Sequence, residues 1–327
     1  MIKLDVTREA WPIRGSFAIS RGTKTAAEVL VVQLTDGDHR GRGECVPYAR
    51  YGESLDSVTA QIKGLRPRLE AGDLNRHTLQ EALPAGAARN AVDCAFWDLE
   101  AKRAGEPAWK RAQLSPPAPV TTAYTISLGT VEEMAAAAAA NARRPLLKLK
   151  LAGPDDLRRV EAVRAAAPEA KLIVDANEGW TVAQYEGLAR ALGDLGVAMI
   201  EQPLPAGEDD GLLGLPRPVP LCADESCHDR ASLTSLAGKY DLVNIKLDKA
   251  GGLTEALALK AEARAAGFGV MVGCMVATSL GIAPALLLAQ GAEVVDLDGP
   301  LLLSKDRIEG LTYDGSRVSP PTAGLWG

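Results

Sequence analysis

The chain has 327 residues, 47% of them hydrophobic, and a formal net charge of −6. It can bury a large core and is long enough for a barrel of ~250 residues plus an added domain. Lysine and arginine form no basic stripe, which argues against a nucleic-acid partner and favours a small polar metabolite. No run of ~18 apolar residues predicts a membrane span, and the N-terminus lacks a signal-peptide core. Five cysteines without a C-x-x-C pair suit a reducing compartment, so we expect a soluble cytoplasmic protein.

The N-terminal part begins with strands and continues with helices. Residues 26–45 predict a β-hairpin that turns at Asp36-Gly37. Helices are predicted at about 54–70 and at 87–104, where Gly105 ends the second. The stretch "SPPAPV", residues 115–120, reads as a linker.

Beyond the linker, short aliphatic runs alternate with alanine-rich helical sequence. Each run except the last is followed by helix-like sequence, and this alternation predicts parallel strands. Eight such units indicate a closed (β/α) barrel. The runs are "TAYTIS", "LLKLK", "KLIVD", "GVAMIE", "VPLCAD", "LVNIK", "FGVMVG" and "AEVVDLD".

Charged residues stand at the ends of most of these predicted strands. The carboxyl ends of barrel strands meet at one mouth, where active sites lie. A single strand-terminal aspartate often only caps a helix or turn, but a whole set indicates a site. The set is Lys150, Asp175, Glu201, Asp224, Lys246, and Asp296 with Asp298.

Three consecutive predicted strands end in the carboxylates of Asp175, Glu201 and Asp224. In a partly desolvated mouth these groups repel one another unless a cation neutralises them. Oxygen ligands without a histidine or cysteine cluster favour Mg²⁺ over zinc, with Mn²⁺ as a tolerated substitute. Asn177 and Glu225 are expected beside these ligands rather than among them.

The second and sixth strands face each other in a ring of eight, which opposes Lys150 and Lys246. Two opposed bases suit removal of a proton from one face of a carbon and its return to the other. A substrate carboxylate on the cation makes its α-proton more acidic, because the enediolate is stabilised. Lys148 shares a face with Lys150, so we expect it to lower the pKa of Lys150 and to hold a carboxylate oxygen.

Asp296 and Asp298 in "DLDGP" share a strand face across the mouth. A substrate ammonium would suit this acidic pair, although the same residues also read as a turn before Gly-Pro. A substrate with its carboxylate on the cation and its ammonium across the barrel axis must be longer than a free amino acid, and a dipeptide fits this length better. We therefore expect a dipeptide that is epimerised at its C-terminal residue.

Several segments carry a resemblance over nearly the whole chain. "KLK", "VDAN", "IEQPLP", "ADES" and "VNIKLDKAGGLTEAL" resemble the muconate-lactonizing branch of the enolase superfamily. "DLDGP", "PYARYGES" and "PAGAARNAVDCAFWDL" are similar to its dipeptide epimerases of the L-Ala-D/L-Glu type. The resemblance implies an α+β capping domain over 1–115, a (β/α)7β TIM-like barrel over 116–300, and a segment 301–327 that returns to the cap.

The same resemblance implies roles for individual residues. It implies one Mg²⁺ on Asp175, Glu201 and Asp224, bases at Lys150 and Lys246, and ammonium binding by Asp296 and Asp298. It adds Thr125 and Cys274 to the substrate site. A role in recycling murein peptides also follows from the resemblance alone.

One position departs from the family pattern. Dipeptide epimerases that act on Ala-Glu tend to have an arginine where this chain has Lys24, in a loop expected to cover the mouth. A lysine there keeps a point charge for the substrate's side-chain carboxylate but loses the bidentate fork. Arg21 could compensate, and both residues also read as solvated loop charges.

Two other functions stay open at this point. Another activity of the superfamily, o-succinylbenzoate synthase or cycloisomerase, would have little use for the acidic pair. A non-catalytic relative could bind dipeptides without turnover, although binding alone needs no matched lysines. The sequence leaves a homo-oligomer open, and it predicts neither nucleic acid nor membrane as a partner.

Overall fold

The computed structural model describes residues 2–327. The N-terminal domain contains an antiparallel sheet of order β1-β2-β3, formed by Lys3–Ile19, Gly22–Asp36 and His39–Cys45. The predicted hairpin is confirmed, with Gly37 in its turn at φ 60°. The sequence did not predict β1, since only Leu4 and Ile13 of its 17 residues are buried.

Helices cover one face of this sheet. The single helix predicted for 54–70 is two helices, because the α-helical hydrogen bonding is interrupted at Leu65, just before Pro67. The helix predicted at 87–104 is confirmed, and it lies so close to β3 that Cβ atoms at Gly41 and Gly43 would meet its backbone within 2.2 Å. The helices are α1 Leu55–Gly64, α2 Arg66–Ala71, α3 Arg76–Ala82, α4 Ala87–Ala104 and α5 Ala108–Arg111.

Eight parallel strands form the second domain, and they follow one another in sheet order as in sequence. The ring closes where the backbone N–H of Ala123 donates to Val295 O at 2.8 Å. The predicted barrel and its α+β capping domain are therefore confirmed. After the short β4 Val120–Thr121, the barrel strands are β5 Tyr124–Ile126, β6 Leu146–Lys150, β7 Lys171–Asp175, β8 Val197–Glu201, β9 Leu221–Ala223, β10 Leu242–Ile245, β11 Gly269–Gly273 and β12 Val294–Asp296.

Helices connect the barrel strands at every step except one. Between β8 and β9 the chain forms only a 3-10 turn at Asp209–Leu212, so the helix expected there is absent from the described residues. Five prolines between 203 and 220 disfavour a longer helix. The connecting helices are α6 Val131–Ala140, α7 Asp156–Ala166, α8 Val182–Asp194, α9 Leu233–Leu236, α10 Leu247–Ala250, α11 Leu253–Ala265 and α12 Ser279–Leu288.

Side chains fill the inside of the barrel in two layers. The lower layer is an apolar cluster that includes Leu146, Ile173, Met199 and Cys222. Two residues further along each strand, the same alternation brings polar side chains inward at the carboxyl ends. The barrel interior is therefore apolar in this lower layer and charged at the mouth.

The last residues contact both domains. After α13 Gly299–Leu302, strand β13 Tyr313–Asp314 pairs with β14 Arg317–Val318, which in turn pairs with β4. Arg307 donates to Glu9 at 2.8 Å and to Glu44 at 2.6 Å in the cap. Within residues 2–327, no helix combines the length and apolarity needed to cross a membrane.

Candidate active site

Three buried carboxylates converge at the mouth of the barrel. Asp175 ends β7, Glu201 ends β8 and Asp224 follows β9, and their oxygens lie within 4.8 Å of one another. Burial and the charge of Asp175 raise the pKa of Glu201 to about 7. An all-oxygen cluster of this charge fits a hard divalent cation such as Mg²⁺.

Two amide side chains that the sequence did not single out support this cluster. Asn244 Nδ2 donates to Glu201 Oε1 at 2.8 Å. Gln202 Oε1 accepts from the backbone N–H of Asp224 at 2.9 Å. The sequence contained a signal for each residue. Asn244 stands two residues before Lys246 and so points into the barrel, and Gln202 follows Glu201 directly.

Lys150 and Lys246 border the cluster on different sides. Lys150 Nζ donates to Asp175 Oδ2 at 2.6 Å, and Lys246 Nζ donates to Asp224 Oδ2 at 2.7 Å. Lys150 is on β6 and Lys246 follows β10, which stand four positions apart in the eight-stranded ring. Burial lowers the pKa of Lys246, but Asp224 and Glu201 outweigh it and raise the pKa well above the usual value.

Lys148 is surrounded by carboxylates. Its Nζ lies 2.7 Å from Glu201, 2.8 Å from Asp296 and 3.1 Å from Asp175. Burial lowers the pKa of Lys148, but these three charges raise it well above the usual range. Lys148 is therefore a fixed cation whose charge is shared among three anions.

Lys249 is a fourth lysine at the mouth, and the sequence did not indicate a role for it. Its side chain is 1% exposed. Nζ donates to Asp224 Oδ1 at 2.6 Å and to the backbone oxygen of Asn244 at 2.9 Å. Lys249 and Lys246 therefore contact the two different oxygens of one carboxylate.

Asp296 and Asp298 lie on the far wall, next to β5. Asp298 Oδ2 accepts from the backbone N–H of Thr125 at 2.7 Å, and the Thr125 side chain is buried. Burial and the charge of Asp296 raise the pKa of Asp298 to about 7. Asp296 Oδ1 is buried without a hydrogen-bond partner among the described residues, so it can accept from a ligand.

A cavity of about 500 Å³ separates the cap from the barrel mouth. Side chains of both domains line it, so closure of the site depends on how the cap sits on the barrel. The cap supplies Phe17, Ile19, Arg21, Lys24, Tyr48, Arg50 and Tyr51, and the barrel supplies Lys150, Asn177, Asp224, Glu225, Lys246 and Cys274.

Arg21 joins the cap loop to the barrel. Its guanidinium donates to Glu225 Oε1 at 2.7 Å, to Glu178 at 3.0 Å and to the backbone oxygen of Asn177 at 2.8 Å. In these contacts Arg21 links the cap to the barrel, and the suggestion that it compensates for Lys24 stays a prediction. Lys24 lies in β2 just after the β1–β2 turn, paired with Phe17, and not in a loop as expected. It is exposed, and its Nζ lies 5.5 Å from the centre of the Tyr48 ring.

Comparison with known proteins agrees with this geometry. Residues 1–111 match the mandelate racemase/muconate lactonizing enzyme N-terminal domain, and residues 130–324 match the family described as enolase C-terminal domain-like. The chain is 50% identical over 308 residues to an L-Ala-D/L-Glu epimerase of Escherichia coli, covering 94% of this chain and 96% of that protein. It is 47% identical to an N-acetyl-D-glutamate racemase of a Pseudoalteromonas species, over 91% of this chain and 95% of that one.

A solved structure from Agrobacterium tumefaciens is 54% identical, with a TM-score of 0.98 and full coverage of both chains. It is described as an enolase family member with homology to dipeptide epimerases, with bound sodium, L-Ala-L-Glu and an ordered loop. The chain therefore belongs to the mandelate racemase/muconate lactonizing enzyme family of the enolase superfamily, among the dipeptide epimerases, and is an isomerase.

Proposed function

We propose that the protein is a Mg²⁺-dependent epimerase of L-Ala-D/L-Glu-type dipeptides. It inverts the C-terminal residue by 1,1-proton transfer through an enediolate. One observation carries the proposal: Lys150 and Lys246, from strands four positions apart, border one cavity and each contacts the same cluster of three carboxylates. Mere binding of a dipeptide does not require this pairing.

Asp175, Glu201 and Asp224 would hold the cation. When bound, Mg²⁺ supplies positive charge next to the substrate carboxylate, which makes the α-proton more acidic. Lys148 would hold one oxygen of that carboxylate in exchange for one of its present contacts with Asp175, Glu201 and Asp296.

The two lysines carry the proton. A cation held by Asp224 and Glu201 would offset the carboxylate charges that raise the pKa of Lys246. One of the two lysines, in its neutral form, then removes the α-proton from its own face of the carbon. The other, as an ammonium, donates a proton to the opposite face and completes the inversion. The roles of Lys150 and Lys246 exchange when the other diastereomer reacts, because the same path is followed in reverse.

The far wall and the cap loop select the substrate. Asp296 and Asp298 accept hydrogen bonds from the substrate ammonium, and the free Oδ1 of Asp296 supports this role. Lys24 faces the side-chain carboxylate of the substrate glutamate from the start of β2 in the cap. Thr125 holds Asp298 in place, and Cys274 forms part of the cavity wall.

An N-acylglutamate racemase is a second candidate. The Pseudoalteromonas relative favours it, and so does the contact of Asp296 with Lys148, which satisfies one oxygen of the acidic pair without an ammonium. N-acetyl-L-glutamate has the glutamate carboxylates of L-Ala-L-Glu but no ammonium. We expect kcat/KM to be at least tenfold higher for the dipeptide; the reverse preference would favour the racemase.

Proton exchange in D₂O tests the main proposal. The enzyme is incubated with Mg²⁺ and L-Ala-L-Glu, and NMR follows the glutamate α-proton and the appearance of L-Ala-D-Glu. We expect deuterium at the α-carbon of both diastereomers. A pure binding protein would show neither exchange nor a second diastereomer, and a synthase or cycloisomerase would act on other substrates.

Two variants complete this test. Lys150→Ala and Lys246→Ala should each abolish epimerisation, because each removes the proton carrier of one face. Retention of wild-type turnover by either variant would rule out the two-base mechanism. Chelation of the metal should also stop the reaction, and Mg²⁺ or Mn²⁺ should restore it.

We also propose a cytoplasmic location and a role in recycling murein-derived peptides. The five cysteines are free, which suits a reducing compartment. Growth of a deletion strain on L-Ala-D-Glu as sole nitrogen source would test the role.

A further inference from the structure

Lys246 is followed by a turn that lies against the cap. We call residues 247–254 the Lys246 turn; it contains α10, Gly251 and Gly252, and it leads into α11. Gly251 and Gly252 have φ angles of 80° and 110°, which favour glycine. Cβ atoms at these positions would lie 2.4 Å from Arg89 Nε and 2.5 Å from Asp93 Cβ, so the turn fits flat against α4.

Two side chains of α4 hold the first half of this turn. Arg89 donates to the backbone oxygens of Ala250 at 2.8 Å and Gly251 at 3.2 Å. Asn90 Nδ2 donates to Asp248 Oδ1 at 2.8 Å. Asp248 is only two residues after Lys246, so these contacts hold the backbone close to that lysine.

Two more side chains of α4 hold the second half. Asp93 Oδ2 accepts from the backbone N–H of Thr254 at 3.0 Å, and Trp97 Nε1 donates to Thr254 Oγ1 at 3.0 Å. The four residues of α4 lie on one helical face, since they are separated by about one and two turns. One face of a cap helix therefore holds the whole turn.

The turn after Lys150 is held differently. There Asp156 accepts from the backbone N–H groups of Ala152 at 3.2 Å and Gly153 at 2.9 Å, and from Trp180 Nε1 at 2.8 Å. All of these residues belong to the barrel. Residues of the cap therefore hold the turn after Lys246, whereas residues of the barrel hold the turn after Lys150.

We propose that Arg89 and Asn90 of the cap are positioning residues for Lys246. This inference rests on the proposed function, in which Lys150 and Lys246 act on opposite faces. Proton transfer needs heavy atoms within hydrogen-bond reach, and a displacement of ~1 Å can cost ~100-fold in rate. Loosening the Lys246 turn therefore impairs proton transfer on the Lys246 face of the substrate more than on the Lys150 face. Lys249 of the same turn also contacts Asp224, so the two faces are compared at saturating Mg²⁺.

The test measures α-proton exchange of L-Ala-L-Glu and L-Ala-D-Glu separately in D₂O with Mg²⁺. Lys150→Ala and Lys246→Ala first identify which diastereomer presents its proton to which lysine. Asn90→Ala should then lower exchange of the Lys246-facing diastereomer by ~10-fold or more. Exchange of the Lys150-facing diastereomer should stay within about twofold, and Arg89→Lys should act in the same direction if Asn90→Ala does not fold.

Two controls separate positioning from general damage. Asp156→Ala should give the opposite pattern, since it loosens the turn after Lys150. Asp98→Asn alters a buried residue of α4 that holds Arg42 N and Gly327 N instead of the turn, so it should leave the ratio of the two rates unchanged.

The outcomes distinguish failure of the positioning role from failure of the proposed function. If wild-type enzyme exchanges neither diastereomer, the proposed function itself fails. If the lysine variants separate the two rates while Asn90→Ala and Arg89→Lys lower both equally, the proposed function stands and the positioning role is wrong.

Discussion

Lys249 Nζ lies 2.6 Å from Asp224 Oδ1, while Lys246 contacts the other oxygen of the same carboxylate. Lys249 also donates to two backbone oxygens, so it fixes both the charge and the orientation of Asp224. A buried side chain that holds a metal-ligand candidate in this way normally tunes the site through orientation.

We predict that Lys249→Met weakens binding of Mg²⁺ by ~10–100-fold, because Asp224 loses its fixed partner. Calorimetric titration of the metal-free protein with Mg²⁺ measures this without turnover. Lys239→Met is the matched control: Lys239 is also buried, but it pairs with Asp209 and Asp210. Equal Mg²⁺ affinity in the two variants would mean that Lys249 contributes stability alone.

Barrel geometry explains why much of the mouth could be predicted. Side chains alternate between the two faces of a strand, and the carboxyl ends of barrel strands lie at the same end of the barrel. These two rules were enough to predict that Asp175, Glu201 and Asp224 lie close together. Lys249 was not predicted because it lies in the short helix α10 after β10, where these strand rules do not say which way a side chain points. The domain boundaries at 115 and 300 and the individual site roles stay predictions.

Contacts between the cap and the barrel could not be predicted. Arg21 and Glu225 are 204 residues apart, and their pairing depends on how the cap packs on the barrel. No periodicity within either segment encodes that placement. For the same reason, the sequence did not predict that Arg21 contacts Glu225 and Glu178, and the suggestion that it compensates for Lys24 stays a prediction.

Lys24 should set the preference for an acidic side chain. We predict that Lys24→Ala raises KM for L-Ala-L-Glu by about fivefold, as expected for loss of one exposed charge pair, and changes KM for L-Ala-L-Ala little. Steady-state kinetics with both dipeptides measures the difference. Lys305→Ala is the control, since Lys305 is an exposed lysine 5.9 Å from the Trp11 ring and outside the cavity. A similar rise for both dipeptides would contradict the pairing.

Arg21 should affect every dipeptide alike. Its contacts go to Glu225, Glu178, Asn177 and Tyr48, so Arg21→Ala releases the loop from the barrel instead of removing a substrate contact. We predict that KM rises by a similar factor for L-Ala-L-Glu and L-Ala-L-Ala. The same kinetic comparison checks it, and a selective loss for L-Ala-L-Glu would instead place Arg21 against the substrate carboxylate.

Asp93 should couple the cap–barrel contact to pH. Burial raises its pKa from 3.8 to about 6, so the folded state holds the proton more tightly than the unfolded chain. This contribution to stability is fully present below the unfolded pKa and is lost as pH rises through about 6.

We therefore predict that the free energy of unfolding of the wild type rises by ~1 kcal/mol relative to that of Asp93→Asn between about pH 7.5 and pH 5. Asp93→Asn removes the titrating group, and only the pH dependence of the difference is compared, so a constant loss from altered contacts with Gln80 and Thr254 cancels. Urea unfolding of both proteins at the two pH values measures the difference, and parallel pH profiles would show that Asp93 is charged throughout this range.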